Sequence, residues 1–96
     1  EVKEVREMPK EFKLYQIYPN PFNPKTIIEY DLTHERQVNI TIYNSLGQEI
    51  TTLVDGQQTA GHYSVVWNAD NYASGIYLCR IKAGEFIDTQ KVALVK

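Results

Sequence analysis

The sequence predicts an all-β fold, an Ig-like two-sheet antiparallel β-sandwich of about seven short strands. Three observations predict it. Apolar and polar residues alternate with a period of two through successive stretches of the chain, as in half-buried strands. Turn residues punctuate those stretches at the spacing of a sandwich, and no segment between them has the length and 3.6-residue period of a core helix. Three of the four prolines fall in Tyr18-Pro19-Asn20-Pro21-Phe22-Asn23-Pro24. Proline fixes φ and removes a backbone donor, and each residue before a proline is pushed toward extended geometry. That run is neither helix nor central strand. It reads as a stiff, extended strut at the entrance to the sandwich, anchored by Phe22.

The elements follow in order. Residues 1–11 are mostly charged, with Val2, Val5 and Met8 at helical spacing and Pro9 as a breaker. Their apolar content is too low to hold a helix in place, so they read as a linker arm. Phe12, Leu14 and Tyr15 begin the ordered domain, which spans residues 12–96. Lys25 to Leu32 sets Ile28, Tyr30 and Leu32 on one face and Glu29 and Asp31 on the other. Val38, Ile40 and Ile42 repeat the pattern after the polar turn Thr33-His34-Glu35-Arg36. Asn44-Ser45-Leu46-Gly47 is a turn, and Glu49 to Val54 is the returning strand. Asp55 to Gly61 reads as a loop bounded by glycines. His62 to Asn68 alternates again, with Tyr63, Val65 and Trp67 on one face and predicted at the centre of the core. After the polar loop Ala69 to Ser74, Gly75 to Ala83 is a strand. Ala83-Gly84-Glu85 turns the chain, and Phe86 to Val95 closes it.

Composition bounds the function. The chain has 96 residues and a net charge of −2, enough for one modest core. Its pI of about 5.6 gives no electrostatic footprint for nucleic acid or an anionic membrane. No apolar run is long enough to span a bilayer. A single cysteine, Cys79, excludes an internal disulfide framework. The first residue is Glu1 rather than Met, which suggests an excised piece of a longer protein.

No constellation points to catalysis. His34, His62, several serines and Cys79 are present, but no Gly-x-Ser-x-Gly element is. Cys79 lies inside an apolar strand with Arg80 on the opposite face, a setting for a small core residue rather than a reactive thiol. Two distant histidines and one cysteine make no zinc pattern. Asp55, Asp70 and Asn71 lack the repeated acidic spacing of a calcium loop and fit turns instead. Asn39-Ile40-Thr41 matches a glycosylation sequon of the kind that alternating strands produce by chance. Tyr43 and Tyr72 could stack on a sugar, though cross-strand packing explains them as well. No cofactor or metal is expected.

The motifs taken together resemble a known family. Leu14-Tyr15-Gln16 and Tyr18 to Pro24, Thr26 to Leu32, Val38 to Glu49, Ala60-Gly61-His62-Tyr63 leading to Trp67-Asn68, Ala73-Ser74-Gly75-Ile76-Tyr77, and Lys91 to Lys96 occur in the order found in the type IX secretion system C-terminal sorting domain, type A. Ile17 and Cys79 depart from the pattern without removing a motif. The resemblance implies a secretion address on a covalently linked upstream cargo domain. The cargo would cross the periplasm, be recognised by the outer-membrane translocon, and reach the cell surface or medium. A sortase-like surface protease would cut within the arm. It further implies that Pro19, Asn20, Pro21 and Phe22 shape the entrance, that Gly75 and Tyr77 form a late glycine-tyrosine element, and that Lys91, Val92, Leu94 and Lys96 form the terminal signal. Lys91 is the residue hardest to explain by folding, since a solvated lysine adds little stability. An exposed edge strand could also pair two copies as a weak homodimer. The alternatives are an Ig-like spacer of the flagellar hook-capping type and a carbohydrate-binding or adhesive module. The position of Lys91 to Lys96 at the end of the chain and Asn68-Ala69 after Trp67 favour the sorting reading.

Overall fold

The computed structural model describes residues 9–96. Most of the predicted arm, residues 1–8, lies outside the described residues. Seven strands follow: β1 (Lys13–Leu14), β2 (Lys25–Leu32), β3 (Arg36–Asn44), β4 (Glu49–Gln58), β5 (Gly61–Asn68), β6 (Gly75–Ala83) and β7 (Phe86–Leu94). They form two antiparallel sheets, β1-β2-β5 and β4-β3-β6-β7. The crossings β2 to β3, β4 to β5 and β5 to β6 pass between the sheets, which gives the Greek-key order of an immunoglobulin-type sandwich.

The alternation that predicts the strands also fills the core. Ile28, Tyr30 and Leu32 of β2, Val38, Ile40 and Ile42 of β3, Cys79 and Ile81 of β6, and Val92 and Leu94 of β7 are all buried. A one-residue slip in any of these strands would turn its whole apolar set to solvent, so the pattern fixes the register. Burial pushes the Cys79 thiol up to about 12, which makes it an inert core residue. Thr41 is buried on the outer face of β3, and its hydroxyl donates to Asn39 Oδ1 at 2.6 Å, so the sequon is part of a central strand.

Three expectations need correction. The glycine-bounded loop after Val54 is shorter than predicted. β4 runs on to Gln58, because Arg36 to Asn39 of β3 need partners and find them in Gln58 to Asp55. Gly56 sits inside that ladder opposite Val38. Tyr63 and Val65 share the inner face with Trp67 but are only half-buried, since β5 is an edge strand. Finally, residues 19–24 proceed through successive bends rather than as a straight extended run, and the peptides preceding Pro19, Pro21 and Pro24 are cis.

Candidate functional site

The segment Tyr15 to Phe22 passes from one sheet to the other. It begins on the three-stranded sheet, where Tyr15 N–H donates to Glu29 O at 3.0 Å and Ile27 N–H donates to Tyr18 O at 3.1 Å. It ends on β7, the outer strand of the four-stranded sheet. There Phe22 forms a parallel bridge to Leu94, with Phe22 N–H on Ala93 O at 2.9 Å and Val95 N–H on Phe22 O at 3.0 Å. The Asn20 amide extends the bridge. Its Nδ2 donates to Lys91 O at 3.0 Å and its Oδ1 accepts Ala93 N–H at 2.9 Å. A primary amide carries the same donor and acceptor as a peptide group, so Asn20 does for β7 what a neighbouring strand would do. Gln90 secures the start of the segment, accepting Ile17 N–H at 3.0 Å and donating to Tyr15 O at 2.9 Å. The whole piece is a strap over the last strand.

The prolines carry no N–H donors, so the strap has fewer backbone groups to satisfy. The carbonyl of Pro19 accepts the Thr26 hydroxyl at 2.7 Å, and that of Pro24 accepts Ala69 N–H at 2.8 Å. Pro19, Asn20 and Pro21 remain exposed, while Phe22 is buried. Phe22 lies 5.3 Å from Trp67, ring centre to ring centre, and Trp67 lies 5.4 Å from Tyr77. The anchor predicted for Phe22 therefore rests on the central aromatic cluster.

Gly75 and Tyr77 lie next to the same strand, paired with Leu94 and Val92. Tyr77 is buried, and its hydroxyl donates to Ala73 O at 2.5 Å. A tyrosine at the start of this strand that bonds back to the preceding corner is a recurrent device of the sandwich, and it explains the spacing of the motif. Lys96 closes the patch, with its N–H on Ser74 Oγ at 3.0 Å and its ammonium on the Asp70 carbonyl. Lys91 is exposed and has no carboxylate partner among the described residues. Val92 and Leu94 point into the core.

The predicted site residues, drawn from three distant parts of the chain, thus meet at one margin of the sandwich. Sequence reasoning missed one member, Gln90, and the part played by the amide of Asn20. Gln90 and the amide geometry of Asn20 act across separations of 71 to 75 residues, which no local pattern reveals. It also missed a polar cluster on the outer face of the three-stranded sheet. There His62 lies 2.7 Å from Asp31 and 3.3 Å from Glu29, and Tyr15 donates to Asp31 at 2.6 Å. The Asp31 hydrogen bond raises the His62 pKa above its ordinary value against an opposing desolvation, with Glu29 adding in the same direction as Asp31. Among the described residues no group of three or more His, Cys, Asp or Glu is arranged to hold a metal ion.

Fold and surface define an immunoglobulin-type module whose distinctive feature is a strapped terminal strand. Residues 16–96 match the secretion system C-terminal sorting domain family, and the chain belongs to that family. It is a C-terminal sorting domain of the type IX secretion system, a signal for export of cargo to the cell surface or extracellular space. No curated protein matches the chain. Among solved structures the fold is similar to part of PorZ, an essential bacterial surface component of the type-IX secretion system of the human oral-microbiomic Porphyromonas gingivalis. The TM-score is 0.62 at 20% identity over 86% of this chain, which spans 11% of that one.

Proposed function

We propose that the strapped margin of the sandwich is the surface read by the outer-membrane translocon, with Lys91 as its principal direct contact. The observation that carries this reading is the meeting of Pro19 to Phe22, Gly75 to Tyr77 and Lys91 to Lys96 at one place. Within that patch the residues divide by exposure. Phe22, Tyr77, Val92 and Leu94 build the surface from beneath. Pro19, Asn20, Gly75, Lys91 and Lys96 are left to present it. An unpaired lysine beside an exposed strand edge supplies orientation and encounter rate more than stability.

In this reading residues 12–96 are the signal and residues 1–11 join it to an upstream cargo. The cargo crosses the periplasm before recognition, and a surface protease cuts in the joining arm. The domain itself does no chemistry, consistent with a family defined by sorting. The test is a fusion of residues 1–96 to the C-terminus of a periplasmic fluorescent reporter, placed in a bacterium with a working type IX system and in a translocon-deficient strain. Reporter reaches the surface or medium in the working strain alone. Lys91→Ala, with its folding checked by thermal melting, lowers export at least severalfold. Normal export of Lys91→Ala would remove the direct contact, and retention of the folded wild-type fusion in both strains would remove the sorting reading for this chain.

A further inference from the structure

We infer that the outer edge of β7, from Ile87 to Val95, is a strand-addition site. Its occupant is an extended segment of the outer-membrane receptor with apolar side chains near its two ends and an acidic one between them. The inference rests on the sorting reading and deepens it.

β7 is the last strand of its sheet, so one side of its backbone faces no strand. The bonds to the strap show which groups face outward: Lys91 O, both backbone groups of Ala93, and Val95 N–H. By strand alternation the N–H and C=O of Ile87 and Thr89 face the same way. The strap stops short of them. Thr89 N–H is met only by the neighbouring Asp88 carboxylate, at 2.8 Å. Among the described residues the edge is thus open over Ile87 and Thr89, and covered from Lys91 to Val95 by one side-chain amide and one bridging residue. An unpaired edge is a template for another strand. Here the chain itself already uses the edge in that way, through Phe22 and the peptide-like Asn20. Of the three other edges, β4 carries two register shifts against β3, β1 is two residues long, and β5 has no bridge to a segment outside its sheet among the described residues, so only β7 is already used as a template.

The side chains beside the edge specify the partner. Ile87, in the strand, is 50% exposed, and Val95, just past its end, is 54% exposed. Lys91 stands midway between them on the same outer face. An added strand covers such residues with its own cross-strand neighbours: apolar against Ile87 and Val95, acidic against Lys91. In strand addition the main-chain bonds supply affinity and the alternate side chains supply specificity. Docking begins at the open Ile87–Thr89 end and proceeds by replacing Asn20 and Phe22.

The test blocks the backbone without touching the fold. Thr89→Pro removes only an outward donor and places a ring where the added strand would lie, and edge positions accept proline. In the reporter fusion, Thr89→Pro is exported about tenfold less than wild type while melting close to it. Should Thr89→Pro not fold, a photo-reactive side chain in place of Ile87 is used instead. Irradiation of cells then joins the domain to an outer-membrane protein in the working strain and to none in the translocon-deficient strain. Normal export of folded Thr89→Pro, or no crosslink from position 87 in exporting cells, overturns the strand-addition site and leaves the sorting reading standing. A wild-type fusion that is not exported overturns both.

Discussion

Truncating Trp67 tests the core and the strap together. The indole is 2% exposed and is surrounded by Phe22, Tyr72 and Tyr77 with ring centres 5.3 to 5.8 Å away. Removing such a side chain ordinarily costs about 3–5 kcal/mol. One feature lowers the figure here. The Trp67 Nε1 is buried with no hydrogen-bond partner among the described residues. An unpaired buried donor already costs the native state about 1–3 kcal/mol, and truncation relieves that cost. Trp67→Ala should therefore fall near the lower end, about 3 kcal/mol. Trp67→Phe keeps most of the ring and discards the unpaired donor, so the two effects offset to within about 1 kcal/mol. Urea unfolding followed by circular dichroism measures both, because the substitution removes the only tryptophan. In thermal melts, about 3 kcal/mol is roughly 12–24 °C for a domain of this size. A loss below about 1 kcal/mol for Trp67→Ala would refute the core assignment. A Trp67→Phe loss as large as that of Trp67→Ala would show that the indole N–H is paired after all. Since Phe22 rests on this ring, Trp67→Ala should also loosen the strap and reduce export more than melting alone explains.

Three further outcomes are expected. Tyr77→Phe removes the bond to Ala73 O and leaves that carbonyl to solvent, costing about 1 kcal/mol and lowering the melting temperature by about 4–8 °C. An unchanged melt would show that the corner bond is idle. For His62, the Asp31 and Glu29 contacts raise the folded-state pKa above the unfolded value of about 6.5. The stabilisation is therefore fully present below about pH 6.5 and lost as pH rises through the higher folded pKa. Because His62 is 51% exposed, it amounts to a few tenths of a kcal/mol. His62→Asn should flatten the melting profile across that window, and an equally sloped profile would exclude His62 as its source. Asn20→Ala frees Lys91 O and Ala93 N–H at an exposed site, costing about 1 kcal/mol or less. Hydrogen exchange should quicken at the Ala93 amide far more than at Val95, whose partner Phe22 O remains. Equal rates at Ala93 in variant and wild type would break the strap assignment.

How much was legible in the sequence depended on distance along the chain. Strand positions came from alternation, which is local, and β2, β5 and β6 fall where the pattern places them. The end of β4 did not, because Asp55 to Gln58 looks like a loop by composition and is held as a strand only by its β3 partner. Phe22 as an anchor was legible, since a lone aromatic among prolines and asparagines has one obvious use. The role of Asn20 was not. Between prolines an asparagine reads as a turn former, and only the fold brings it within reach of Lys91 and Ala93. The family resemblance named segments that the fold brings together at one margin, without indicating that they touch.

The last strand carries two kinds of information on alternate residues. Val92 and Leu94 fill the core, and any substitution there changes folding first. Lys91, Ala93 and Val95 stand on the outer face, and their backbone groups point off the sheet margin. In the strap Phe22 is buried, while Asn20 and Pro21 are exposed. Deleting the strand, or changing its even-numbered residues, therefore confounds loss of fold with loss of signal. Only the odd-numbered positions and Asn20 separate them. In the proposed reading the core residues set the register that aims the outward atoms, which makes Lys91 and Thr89 the informative positions rather than the more conspicuous aromatics.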